Sequence, residues 1–488
     1  MVYYSYMYRR RSKRVQRTLF IMTYTVVPLL IVSSVVLLVL FTQGYRFNRS
    51  SGDVFQAGLV QFDTEPNGAT VYVDGAALAA RTRTRINVSN GVRTIDMKRD
   101  GYVPWQKTVN VVPGSVLWLT YARLVANDVT TEKLYDYASV ANVLVDTQKN
   151  LFGLQPSASE PTFVTIPATD GAPTRTNTTV PASLYEAAEK QRFTATEWSL
   201  SGRYVLFRHD VGSVRDWLVL DTSTPAESIN ISDTTGATIS DAFFDVEDDR
   251  YIYLLTNSSL VRFNRSDLTT SAILIKNVQT ITQSADGTIV TVSKTDSGET
   301  RVSYVTHAAQ TARQVVIVGD QNIDAIQSAT VVTYDRRDYI ALLANGQLLI
   351  ARTGLDSSET TAPLEFAPFL SVDVSTKITR LEPSPNGRFV TLIGADRVSM
   401  YDLDLRQLSP TIAQYSSAPS FQWLDDYHLV DRRDASLSMF EFDGANRTPI
   451  AAVASKYNSV LSESGEYIYL LQQDADGYYV ARARLLAD

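Results

Sequence analysis

Pro383-Ser384-Pro385-Asn386-Gly387-Arg388 leads into Phe389-Val390-Thr391-Leu392-Ile393, and a second strand, Val398-Ser399-Met400-Tyr401-Asp402, follows. A polar turn containing glycine, then an apolar run, then another turn and run is the pattern of an antiparallel hairpin. The same order recurs at Trp198-Ser199-Leu200-Ser201-Gly202-Arg203, before Tyr204-Val205-Leu206-Phe207 and Trp217-Leu218-Val219-Leu220-Asp221. It recurs again at Ser462-Glu463-Ser464-Gly465-Glu466, before Tyr467-Ile468-Tyr469-Leu470-Leu471 and Tyr478-Tyr479-Val480. Weaker copies accompany Asp248-Asp249-Arg250, Ala285-Asp286-Gly287, Arg337-Asp338 and Asp425-Asp426. The turn tips fall near 149, 202, 249, 287, 338, 387, 426 and 465, spaced by 38 to 53 residues.

Periods of this size with four strands each describe a β-propeller, here of seven or eight blades over residues 127–488. One four-stranded sheet exposes both faces, whereas a ring of sheets buries them and protects their edges. The strongest copies, Trp198 to Arg203 and Pro383 to Arg388, resemble blades of Tol-type periplasmic propellers and of WD-repeat proteins. Two stacked β-sandwiches are the alternative architecture. Pro156 to Pro181, with five prolines, reads as a long loop inside the first blade that closes in a short helix at Ser183 to Gln191.

Upstream lies a smaller β-rich stretch. Leu59, Gln61 and Asp63 alternate with Val60, Phe62 and Thr64, the period of a half-buried strand. Glu65-Pro66-Asn67-Gly68-Ala69 then reads as a turn, Val71-Tyr72-Val73 as a strand, Asp74-Gly75 as a tight hairpin turn, and Gly101-Tyr102 follows a further strand. This order of motifs resembles the PEGA domain, a small all-β module of surface-associated microbial proteins, over residues 57–124. Asn67 stands where the name-giving motif has Glu, and no proline follows Thr82 or Thr84. The resemblance implies binding or spacing, with no catalysis. Pro66, Asn67, Gly68, Ala69, Asp74, Gly75, Gly101 and Tyr102 are read as turn chemistry.

At the N-terminus, Leu19 to Thr42 is a run of 24 uncharged residues, 16 of them Leu, Ile, Val or Phe. As a helix it reaches about 36 Å, enough to cross a hydrocarbon core of about 30 Å. Arg9, Arg10, Arg11, Lys13, Arg14 and Arg17 precede it, with no acidic residue before Asp53. That basic flank places residues 1–18 in the cytoplasm and everything beyond a 43–56 linker outside. A signal peptide would have a shorter apolar core and small residues at its end, whereas Phe41-Thr42-Gln43-Gly44 stands here.

The formal charge of −7 combines +6 on the first 17 residues with −13 on the rest. An acidic body disfavours nucleic acid as a partner. The chain has no cysteine, so it has neither disulfides nor thiolate ligands. His209, His307 and His428 are far apart and read as half-exposed strand residues, which does not suggest a zinc site. Asp474-Ala475-Asp476-Gly477 starts like a calcium loop, but Leu485 occupies the place of its closing glutamate, so a hairpin turn is expected. Asp245 to Asp249 reads as a solvated acidic turn. No nucleophile elbow, phosphate loop or dinucleotide fingerprint occurs. No residue stands out as catalytic, as a metal ligand or as a cofactor contact.

The expectation is therefore an all-β ectodomain, a PEGA-like module plus a propeller, on one N-terminal transmembrane helix. Its function is read as non-enzymatic binding or scaffolding in the cell envelope, with cell-wall glycan or an envelope protein as partner. The alternative is a tethered hydrolase of glycan or peptide with carboxylates at the propeller mouth. Two or more carboxylates converging in a deep axial pocket would favour the hydrolase.

Overall fold

The computed structural model describes residues 13–47, 54–307, 309, 311–317, 325–355, 362–414, 421–455 and 458–487, and divides into two compact units, Met1–Leu124 and Val125–Asp488. In the first unit, helix α1 runs Lys13–Thr42 and so begins within the basic segment. Its stretch Phe20–Thr42 is long and apolar enough to cross a membrane, and Leu29, Leu30, Leu37 and Leu38 are each 59–67% exposed. An apolar surface on all sides suits lipid rather than one buried face of a soluble domain.

Strands β1 (Tyr45–Phe47), β2 (Val54–Glu65) and β5 (Thr84–Ser89) form one sheet, joined by β8 (Val116–Arg123) running parallel to β2. Strands β4 (Ala76–Arg81), β3 (Thr70–Val73), β6 (Gly91–Lys98) and β7 (Trp105–Val111) form the other. Alternation sends Val60, Phe62, Val71, Ile95, Met97, Trp105 and Leu119 inward, all fully buried or nearly so. Within the segment 43–56, expected as a linker, Tyr45–Phe47 and residues 54–56 instead start the first sheet. Tyr45 pairs with Gln56 and the Gly44 carbonyl accepts the Ala57 N–H, so backbone pairing replaces a free tether.

The second unit contains eight sheets of four or more strands among the described residues. Blades 1 to 8 begin with inner strands Asn142–Asp146, Gln191–Trp198, Ile239–Phe244, Val278–Gln283, Ile326–Tyr334, Ile378–Pro383, Phe421–Trp423 and Val460–Leu461. Blade 8 is completed by β9 (Thr130–Tyr137), which pairs antiparallel with the last strand, Gly477–Arg484. The two ends of the unit thus meet in one sheet. Apolar side chains fill each gap between blades: Phe163 with Val205 and Phe207, Leu206 with Leu254, Tyr253 with Ile289, Val292 with Val331. Ile350 with Leu392, Phe389 stacked on Trp423, Met439 with Leu470, and Leu471 with Phe152 complete the circuit. That circuit is a closed eight-bladed propeller and excludes two stacked sandwiches.

The recurrent turn has a shared construction. Ser199, Ser384 and Ser462 each accept, on Oγ, the N–H of the first residue of the following strand, at 3.1, 2.9 and 3.1 Å. Gly387 holds a φ of 67°, and a side chain there would strike the Thr333 carbonyl of the neighbouring blade. Only glycine meets both demands. Arg203 and Arg388 then reach Asp221 and Asp402 at the end of the third strand, and those carboxylates also accept the next turn's N–H groups.

Four local expectations need correction. Pro156 to Pro181 is not one loop: it contains the strands Thr162–Pro167 and Thr176–Thr179, and the helix after it is only a 3-10 turn, Ala182–Leu184. Prolines 161, 167 and 181 flank or end these short strands, where a missing N–H costs nothing. His209 is buried and stacks on Phe193 at 4.3 Å between ring centres. His428 is buried against Asp425. Asp245 is fully buried instead of solvated, because its Oδ2 meets His307 Nδ1 at 2.9 Å and its Oδ1 accepts the Glu247 N–H at 2.8 Å.

Candidate functional site

A cavity of about 720 Å³ opens where the inner strands of blades 1, 2, 3, 7 and 8 converge, with Ala285 of blade 4 on its edge. Inner strands present one backbone edge to the axis, and such groups need partners. Side chains of neighbouring blades supply them. Asn142 Nδ2 donates to the Ala195 carbonyl at 2.6 Å, and Asn458 Nδ2 to the Val143 carbonyl at 2.8 Å. The Gln422 amide both donates to and accepts from Ser459, and Ser328 Oγ accepts the Leu381 N–H at 3.0 Å. Between blades 2 and 3 the same task falls to a carboxyl group: Glu197 Oε2 accepts the Phe244 N–H at 2.8 Å.

Glu197 follows a bulge between Ala195 and Glu197, and bulges re-aim side chains. Protein surrounds its carboxyl almost entirely, although part of the residue still meets the cavity. Burial pushes its pKa up to about 8; the Phe244 N–H opposes this and the Asp241 charge adds to it. Unlike Glu382 of blade 6, which pairs with Arg380 at 2.9 Å, Glu197 has no basic partner among the described residues. Asp146, Asp245 and Glu247 also line the cavity, and no Lys, Arg or His does among the described residues. Asp146 is committed to the N–H groups of Gln148 and Lys149, with its pKa raised by burial in spite of them. Asp245 is committed to His307 and Glu247 as above. Trp198 and Trp423 flank the site, and the buried indole N–H of each has no hydrogen-bond partner among the described residues. No three His, Asp or Glu side chains among the described residues are grouped to hold a metal ion.

Asp146, Glu197 and Trp423 were not singled out in the sequence, whereas Trp198 was read only as part of a turn motif and Asp245 and Glu247 only as part of a solvated acidic turn. A weak signal existed: Glu197 and Trp423 each stand two residues before the turn residues Ser199 and Asp425, at the end of an inner strand. The residues that were singled out lie elsewhere. Asp74 and Gly75, with φ of 51° and 80°, form the two-residue turn between β3 and β4. The Thr94 N–H, then Arg93, hold the Asp74 carboxyl below its ordinary pKa. The carbonyls of Pro66 and Asn67 accept from Thr64 and Arg99, and the Ala69 N–H donates to buried Thr82. Gly68 and Gly101 have φ of 88° and 85°, and Tyr102 is buried beneath Arg99. Each of these contacts closes within the module. Lys13, Arg14 and Arg17 fall in the first turns of α1, whereas Arg9, Arg10 and Arg11 lie outside the described residues.

Residues 57–124 match the PEGA domain family model. No curated protein matches the chain in sequence. Among solved structures, an oligogalacturonate lyase in complex with manganese is 12% identical, covering 72% of this chain and 99% of that one with a TM-score of 0.39. An oligogalacturonate lyase from Vibrio parahaemolyticus is 10% identical, covering 74% and 98%, with a TM-score of 0.39. The Cps50 (Swd1) β-propeller domain of Myceliophteria thermophila is 11% identical, covering 73% and 100%, with a TM-score of 0.35. At these scores the likenesses say nothing about chemistry, and the ring stands on its own strand pairings. The chain carries a PEGA domain at residues 57–124, preceded by an apolar helix and followed by an eight-bladed β-propeller.

Proposed function

We propose that this chain is a membrane-anchored, non-enzymatic binding protein of the cell envelope, whose propeller takes a neutral, hydroxyl-rich ligand, cell-wall glycan, in its axial cavity. The basic residues before the apolar span of α1 keep the N-terminus in the cytoplasm, so both β-units work outside. Glu197 carries the reading. With a pKa near 8 it is protonated at neutral pH, and with Oε2 taken by Phe244, Oε1 is left to donate. The protonated carboxyl offers a donor to a sugar oxygen, and the parts of Trp198 and Trp423 that line the cavity offer apolar surface to sugar carbons. The volume lies in the range of small-ligand pockets. The lack of cations on its wall among the described residues disfavours phosphate-rich ligands.

Glu197 also favours the hydrolase reading, since an acid with a raised pKa near a second carboxyl group is the pattern of glycosidases. Four carboxyl groups do converge here; both oxygens of Asp245 and Oδ1 of Asp146 are taken by local bonds, leaving Asp146 Oδ2 and Glu247 for the second role. One experiment separates the two. The full chain in detergent is mixed with purified insoluble cell-wall glycan between pH 6 and 9. Retention should weaken about tenfold by pH 9, one unit above the Glu197 pKa, as the proton is lost and a negative charge appears. Glu197→Gln should bind with no such pH dependence. Absence of retention at every pH contradicts the binding reading. Release of soluble sugar fragments, abolished by Glu197→Gln, replaces it with hydrolysis.

A further inference from the structure

We propose that the turn between β7 and β8 is a membrane foot: Val112 and Val116 lie in the lipid headgroup layer, with Trp118 above them on the same face, at the border with water. This rests on the reading that α1 crosses the bilayer. The joint between helix and module is backbone against backbone. The Gly44 N–H donates to the Phe41 carbonyl at the helix end, the Gly44 carbonyl accepts the Ala57 N–H at 2.8 Å, and the Gly114 N–H donates to the Ala57 carbonyl at 3.0 Å. A side chain on Gly114 would strike the Thr42 carbonyl, and one on Gly44 would strike the Gly114 nitrogen. The tip of the β7–β8 turn therefore touches the last residues of the helix.

Lengths then fix the depth of that tip. Phe20–Thr42 has 23 residues, about 34 Å of helix, so Thr42 ends at the boundary of a hydrocarbon core about 30 Å thick. The headgroup layer beyond it is about 5–7 Å deep on each side. Val112 and Val116 are each two residues from Gly114, at most about 7 Å of extended chain, so they fall within that layer. Both are about half exposed, at 51% and 46%, and Val92, whose strand partner is Asn110, is 70% exposed. The whole stretch Val109 to Thr120 carries no charge. Trp118 shares the outward face with Val116 and is 53% exposed. Tryptophan is enriched at membrane–water interfaces, and the uncharged valines meet less water in the headgroup layer than in bulk solution.

The absence of cysteine makes single-site labelling clean. Full-length chains carrying Val112→Cys, Val116→Cys, Ala76→Cys or Leu29→Cys, each with an environment-sensitive fluorophore, are placed in phosphatidylcholine nanodiscs. Labels at 112 and 116 should be quenched by a headgroup-attached quencher and be several-fold less open to iodide than the label at Ala76, an exposed hairpin position. The label at Leu29 should respond to a quencher deep in the acyl chains. Labels at 112 and 116 that behave like Ala76, with Leu29 still in lipid, overturn the foot and leave the span intact. A Leu29 label open to iodide overturns the span and the foot together.

Discussion

Replacing residues 128–139 by a glycine-serine linker of equal length should cost the propeller more than about 4 kcal/mol, at the upper end of what local changes do. The linker keeps the two units joined and removes only β9. Blade 8 then loses its outer strand, along with the Arg482–Glu132 pair at 2.7 Å and the Tyr135 hydroxyl bond to the Pro173 carbonyl at 2.6 Å. The strand Gly477–Arg484 becomes an unprotected edge, which invites pairing between molecules. The melting temperature should fall by on the order of 10 °C with light scattering on heating. A variant that melts within 2–3 °C of the parent, roughly the size of a 1 kcal/mol change, would mean that β9 does not close the ring.

Asp402→Ala should be the most damaging single exchange in the turn repeat. Arg388 is buried, with 10% of its side chain exposed, and Asp402 is its bidentate partner through Nε at 3.1 Å and Nη2 at 2.7 Å. Asp404, at 3.5 Å, is a weaker second contact. Removing the near carboxylate leaves a buried cation underpaired and two turn N–H groups uncapped, for a loss of about 3–5 kcal/mol. Asp221→Ala breaks the corresponding pair in blade 2, but Arg203 there is 38% exposed and water can replace the lost partner. The loss should be clearly smaller. Urea titration of the two variants side by side checks this, and equal losses would refute burial as the cause.

The turn repeat was legible because its parts act within one hairpin: a serine that caps the next strand, a glycine with positive φ, an arginine that reaches the following aspartate. The eight tips, some as poor as Arg337-Asp338, pointed to seven or eight blades, and the described residues form eight. The alternation of Val60 and Phe62 with Leu59 and Gln61 likewise described β2 before any contact was known. What escaped depends on ring closure. Nothing near Thr130–Tyr137 says that its partner lies about 350 residues away. Glu197 becomes a buried acid only when the inner strands of blades 2 and 3 meet, and Asp245 is buried only because His307 of the next blade covers it. The strands within 156–181 were hidden by proline, whose turn signal outweighs short runs such as Phe163-Val164-Thr165-Ile166.

Protease added to intact cells tests the anchored arrangement most directly. With α1 holding the chain in the membrane and both β-units outside, everything beyond Gln43 should become digestible while the basic segment and helix stay protected. A chain fully protected in intact cells, or one found free in solution and trimmed near Gly44, would contradict it.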